Sequence, residues 1–121
     1  MIELMSATPS PLPDALVELI AQRFRLLGEP TRIKLLDALR NGPATVPHLQ
    51  AATGASQQNV SKHLGMLLDA GMIRRTKEGN RAYFSIADES LFALCDQVCG
   101  SLRRQIAEID ALLQTEGEPA R

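Results

Sequence analysis

The segment Ser56–Gly71, SQQNVSKHLGMLLDAG, sorts its side chains by chemistry. Val60, Leu64, Leu67 and Leu68 recur at i, i+4, i+7 and i+8, which gives a helix one apolar stripe. At about 100° per residue, Gln58 and Lys62 fall opposite that stripe, flanked by Asn59, Ser61 and Gly65. These residue types suit the edges of DNA bases: Gln and Asn pair bidentately with adenine, and Lys donates to guanine. Ser56, Ser61 and His63 are short or peripheral enough for phosphate contacts. Ser56 also caps the helix, and a helix N-terminus favours an anion. Gln57, Gln58, Asn59 and Lys62, with Ser56, Ser61 and His63, form a candidate DNA-binding set. On their own, Gln58 and Asn59 would be ordinary solvated helix surface.

Basic residues follow at once. MIRRTK and RAYFSI are strand-like runs separated by Glu78-Gly79-Asn80, a hairpin signal in which Gly79 supplies positive φ. Ala82, Phe84 and Ile86 alternate inward, with Arg81, Tyr83 and Ser85 on the other side. Arg74, Arg75, Lys77 and Arg81 lie near the tip, where a basic hairpin reaches a minor groove or phosphates; Lys77 and Arg81 lead that set. Net charge is −1, yet residues 56–81 carry five basic and two acidic side chains. Phosphate attraction needs that local excess, whatever the total.

Cys95 and Cys99, four apart on one helix side, are the other chemically distinctive pair. Thiolates bind As(III) and other soft metal ions, and paired thiols also oxidise. A direct i,i+4 disulfide in an intact helix is awkward, which favours metalloid or polysulfide chemistry. Two thiols cannot complete a tetrahedral site alone. The competing reading is packing, since Cys95 belongs to an apolar stripe and free cysteine behaves as a small hydrophobe. His48 and His63 lack ligand spacing and read as surface or phosphate-side histidines. No base is placed near either cysteine, and neither lies at a turn or helix N-terminus, so a thiol enzyme is disfavoured.

The positioning elements can be read from periodicity and punctuation. Residues 1–13, rich in proline, read as a flexible arm. Asp14 reads as an N-cap, with Leu16, Leu19, Ile20, Phe24 and Leu27 at helical spacing up to Gly28. Pro30 opens a second helix whose apolar side is Ile33, Leu35, Leu36 and Leu39. Thr45-Val46 can form only a very short strand, and Pro47 begins a short helix through Ala52. Thr53-Gly54-Ala55 then joins it to the Ser56 helix as a helix-turn-helix. The last helix, about Asp88 to Leu113, carries Leu91, Cys95, Val98, Leu102, Ile106, Ile109 and Leu113 in one stripe that calls for a partner helix. The tail 115–121 reads as frayed.

With 121 residues, 45% hydrophobic and 3% aromatic, residues 14–114 make one mainly α domain with a small β-hairpin wing. Its core is modest, so dimerisation is expected. Two cysteines exclude a secreted disulfide scaffold, and neither a leader nor a membrane-length apolar run occurs, which predicts a cytoplasmic protein.

GEPTRIKLLDALRNGP, SQQNVSKHLGMLLDAGMI and RRTKEGNRAYFSI, in that order, resemble the ArsR-type (arsenical-resistance repressor-like) winged helix-turn-helix regulators, over roughly Phe24 to Leu102. The resemblance implies a homodimer joined through its first and last helices. It further implies a repressor released from double-stranded operator DNA by a metal ion, metalloid or redox signal, and no enzyme. Three family sensor patterns are missing. TVPHLQAATG has no cysteine, TRIKLLDALR has none either, and no His follows His63 although Asp88 is present. Many relatives carry a basic residue at the position of Gly65. A protein-interaction module, or a regulator without a thiol sensor, remains the alternative.

Overall fold

The computed structural model describes residues 8–117, in two compact units that divide after Ala87. The expected arm over 1–13 lies partly outside the described residues; 8–13 are exposed and non-helical.

Helix α1 spans Asp14–Leu27. Pro13 holds the N-cap position without a side-chain cap, so Asp14 is the first helical residue and not the cap. A carboxylate in the first turn still complements the helix dipole. Gly28 ends α1 by donating its N–H to the Phe24 carbonyl at 2.8 Å. No residue of α1 is buried; Leu19 is 61% and Phe24 57% exposed.

Helix α2, Pro30–Leu39, starts with proline where a missing N–H costs nothing. The Glu29 carboxylate caps it, accepting from the amides of Thr31 and Arg32, each at 3.1 Å. Leu35, Leu36 and Leu39 are buried as expected, whereas Ile33 is 48% exposed and leaves that side. Helix α3 is Val46–Thr53. The short strand expected at Thr45-Val46 does not form. Thr45 instead caps α3, its Oγ1 accepting from the His48 amide at 3.3 Å, and the strand pairing falls one residue earlier. Ala44 and Phe84 exchange two backbone hydrogen bonds, 3.0 and 2.8 Å.

Gly54, at φ 75°, turns the chain from α3 into α4, Gln57–Asp69. A β-carbon is strained at this φ, so glycine is the residue the turn requires. Strands β1 (Ile73–Glu78) and β2 (Arg81–Ile86) pair antiparallel, Ile73 opposite Ile86 and Glu78 opposite Arg81. The loop is therefore Gly79-Asn80, one residue shorter than the sequence suggested. Phe84 is buried; Ala82 and Ile86 are half-buried, and so are Tyr83 and Ser85. The core of this unit joins Leu35, Leu36, Leu39, Leu49, Val60, Leu64, Leu67, Met72 and Phe84.

Helix α5 occupies the second unit, Ser90–Gly117. It begins after Asp88, whose Oδ1 accepts from the Ser90 amide at 3.1 Å. Its 28 residues extend about 42 Å at 1.5 Å per residue. It outlasts the expected end near Leu113 and takes in part of the expected tail, of which 118–121 lie outside the described residues. Val98, Leu102, Ile106, Ile109 and Leu113 are all more than half exposed.

Leu49, fully buried in α3, seats the helix that precedes α4. Leu49→Ala should lower unfolding free energy by about 2–5 kcal/mol, measured by urea denaturation. A loss well under 1 kcal/mol would mean that α3 is not held by the core.

Candidate nucleic-acid interface

Helix α4 is built to be half buried. Ser56, in extended conformation (φ −69°, ψ 161°), accepts from the Asn59 amide at 3.1 Å and fixes where the helix begins. From that start the 3.6-residue period sends Val60, Leu64 and Leu67 inward to almost complete burial. Gln57, Gln58, Asn59, Ser61 and Lys62 are exposed, in one patch at the helix start. Gly65 follows on that outer side, and a β-carbon added there would meet nothing within 4 Å.

His63 does not share that surface. It is 7% exposed, one turn after Val60 on the inner side, and its position is a correction to the phosphate-side expectation. Its Nδ1 lies 3.0 Å from Nη1 of Arg32, and its Nε2 lies 3.5 Å from Oε2 of Glu29. The spacing carried the signal, because i+3 from a buried valine is a core position; the polar residue type masked it. His48 is exposed, as expected.

The wing places Arg74, Arg75, Lys77 and Arg81 in solvent. Cross-strand partners share a face, so the register separates them. Arg75 and Lys77 lie on the side of Phe84 and Ala82; Arg74 and Arg81 lie on the side of Ser85 and Glu78. Lys77 and Arg81 therefore flank the tip on opposite faces, a division that the list of basic residues did not reveal. An open groove of about 470 Å³ runs between Thr45, Val46 and Pro47 at the start of α3 and Asn80, Arg81 and Ala82 on the wing. Arg81 thus stands beside a helix N-terminus, and both favour an anion.

Cys95 is half-buried, Cys99 is exposed, and both are free thiols on α5. Among the described residues no group of three or more His, Cys, Asp or Glu side chains is placed to hold a metal ion. The described residues of one chain therefore supply two thiol donors and no closed site, which does not fit a resident structural metal.

Glu29 joins this region through the start of α2. Partial burial pushes its carboxyl up, but the amide hydrogen bonds of Thr31 and Arg32 and the neighbouring Arg32 guanidinium outweigh it. The result lies below the ordinary glutamate value.

A helix-turn-helix domain family matches residues 27–76, from the end of α1 into β1. The solution structure of a homodimeric winged helix-turn-helix DNA-binding domain from Mycobacterium bovis, described as a possible ArsR-family transcriptional regulator, superposes with a TM-score of 0.64. It is 32% identical and covers 78% of this chain and 90% of that one. The transcriptional regulator NmtR of Mycobacterium tuberculosis is 31% identical over 88 residues, 73% of each chain. The chain belongs to the ArsR family. The sequence resemblance is thereby borne out, and so is the winged helix-turn-helix architecture. Two further similar proteins have a metal or metalloid in their names. A probable mercury resistance operon repressor of Streptomyces lividans is 37% identical over 68 residues, 56% of this chain and 54% of that one. The antimony-specific repressor AntR has a TM-score of 0.71 at 26% identity, covering 85% and 94%. The chain spans 62% and 61% of the length of two other regulators it matches, KmtR and CmtR. These family members are named as transcriptional regulators or repressors, not as enzymes. No helix among the described residues is long and apolar enough to cross a membrane.

The lowered Glu29 carboxyl has a consequence for stability. The unfolded chain takes up this proton at higher pH than the folded one, so the contribution is complete above the ordinary glutamate pKa. It fades as pH falls through the lowered value. Glu29→Gln should flatten the acid side of the pH–stability profile obtained by urea unfolding. An acid limb identical to wild type would remove this carboxylate from the account.

Proposed function

We propose that this chain is a transcriptional repressor that binds an inverted-repeat operator as a homodimer, with residues 14–114 as its DNA-binding and dimerisation domain, acting in the cytoplasm. The observation that carries this reading is the patch of Gln57, Gln58, Asn59, Ser61 and Lys62 on α4, exposed beside a wing with four basic side chains. Base-edge contacts fall to Gln58, Asn59 and Lys62. Phosphate contacts fall to Ser56, Ser61, Lys77 and Arg81. His63, turned inward, takes no part in either.

The exposed apolar side chains of α1 and of α5 support a second copy as the partner, because water-facing stripes of this length are unstable uncovered. Two α4 helices then enter successive major grooves about 34 Å apart. Lys62→Ala should weaken operator binding by about 1–3 kcal/mol and relax base preference. Arg81→Ala should weaken binding to all duplexes and lower the slope of log affinity against log salt by about one. Fluorescence anisotropy across a salt series measures both. Full operator affinity in both variants at moderate salt would defeat the assignment of groove and wing.

The inducer falls to the dithiol on α5. In a dimer, Cys95 and Cys99 bring four thiols into one region, a donor set suited to As(III), another soft metal ion or reactive sulfur. The mercury and antimony repressors among the relatives support that class. Operator release by As(III), Zn²⁺, Cu⁺ or polysulfide should be lost in the Cys95→Ser/Cys99→Ser protein while operator affinity persists. Equal release from both proteins would leave the thiols as packing residues.

A further inference from the structure

Arg32, in the first turn of α2, connects three helices through one side chain. Its Nε donates to the Leu26 carbonyl, and its Nη2 donates to the Arg25 carbonyl at 3.4 Å. These are carbonyls of the last turn of α1, which a helix leaves without intrahelical donors. On the other side Nη1 lies 3.0 Å from His63 Nδ1 and 3.1 Å from Met66 Sδ, both on α4. A guanidinium has donors only. His63 Nδ1 must therefore accept, and the ring proton of neutral His63 sits on Nε2, facing Glu29 Oε2 at 3.5 Å. Glu29 is held in turn by the amides of Thr31 and Arg32.

The geometry points to Arg32 as a positioning residue that, through His63, sets the orientation of α4 relative to the end of α1. This rests on the reading of α4 as the DNA-binding helix. The apolar stripe Val60, Leu64, Leu67 holds α4 to the core, but apolar burial has no direction and tolerates small rotations about the helix axis. A rigid planar fork with partners on both sides does have direction. His63 directly follows Lys62, so a rotation that breaks the Arg32 contact swings Lys62 away from its groove. A displacement of the last turn of α1 moves the Arg25 and Leu26 carbonyls, and Arg32 relays it. The operator-binding face is thereby coupled to α1, whose own exposed apolar residues await a partner. Lysine cannot substitute, because one ammonium does not span the carbonyls and the imidazole together.

The test is a double-mutant cycle in the full chain with Arg32→Met, His63→Leu and the pair, alongside Arg32→Lys and Lys62→Ala. Affinity is measured on the operator and on a scrambled duplex. Each single variant should lose about tenfold on the operator and keep its scrambled-duplex affinity, and the pair should lose no more than the worse single. Arg32→Lys should behave as Arg32→Met. ¹⁵N NMR of the wild-type protein should show neutral His63 as the Nε2–H tautomer, a readout that needs no variant to fold. Multiplying losses in the pair, full affinity in Arg32→Lys, or an Nδ1–H tautomer would overturn the proposal. Loss of operator affinity in Lys62→Ala but not in Arg32→Met or His63→Leu would keep the DNA reading and discard the clamp. A wild-type protein that binds operator and scramble equally would overturn both.

Discussion

Helix α4 has to satisfy two environments with one helical period, and most of the molecule follows from that demand. Burying Val60, Leu64 and Leu67 removes apolar area from water at roughly 25 cal/mol per Å². That burial also decides what remains outside: once three positions are committed inward, Gln58 and Lys62 have nowhere to go but solvent. The Ser56 cap sets the phase, because it determines the residue at which the period begins. Helices α2 and α3 supply the surface on which the stripe rests. A shift of one residue in the stripe, about 100° of rotation, would turn Ser61 and Gly65 inward in place of Val60 and Leu64.

The polar contacts divide the remaining labour. Glu29 and Thr45 each end a loop by capping the following helix, so the backbone amides of α2 and α3 are met locally and those loops can stay short. Ala44 and Phe84 stitch the segment before α3 to the wing by two backbone hydrogen bonds, which fixes the hairpin near the helix-turn-helix. The wing is therefore a fixed arm whose basic side chains keep a set relation to α3.

The helices were legible in the sequence wherever an apolar period ran between clear stops, as in α4 between Ser56 and Gly71. The exposed amide-and-lysine patch was legible for the same reason. His63 was not, because its role depends on Arg32, thirty-one positions away, and no local pattern encodes a contact across that separation. The misplaced strand at Thr45 has a local cause: a threonine hydroxyl before a proline offers a helix cap that competes with strand pairing. Lys77 and Arg81 looked equivalent as a list of basic residues. Only the cross-strand register, with a two-residue loop, assigns them to opposite faces.

The empty space around Gly65 gives this fold a degree of freedom that its core lacks. On the inner side of α4 every added methylene must displace a packed neighbour. On the outer side, next to the proposed nucleic-acid patch, a new side chain meets only open space. Affinity can drift at that position over evolutionary time, towards a stronger or a weaker grip, without any repacking of the interior. Related regulators can thus diverge in how tightly they hold their targets while sharing one scaffold.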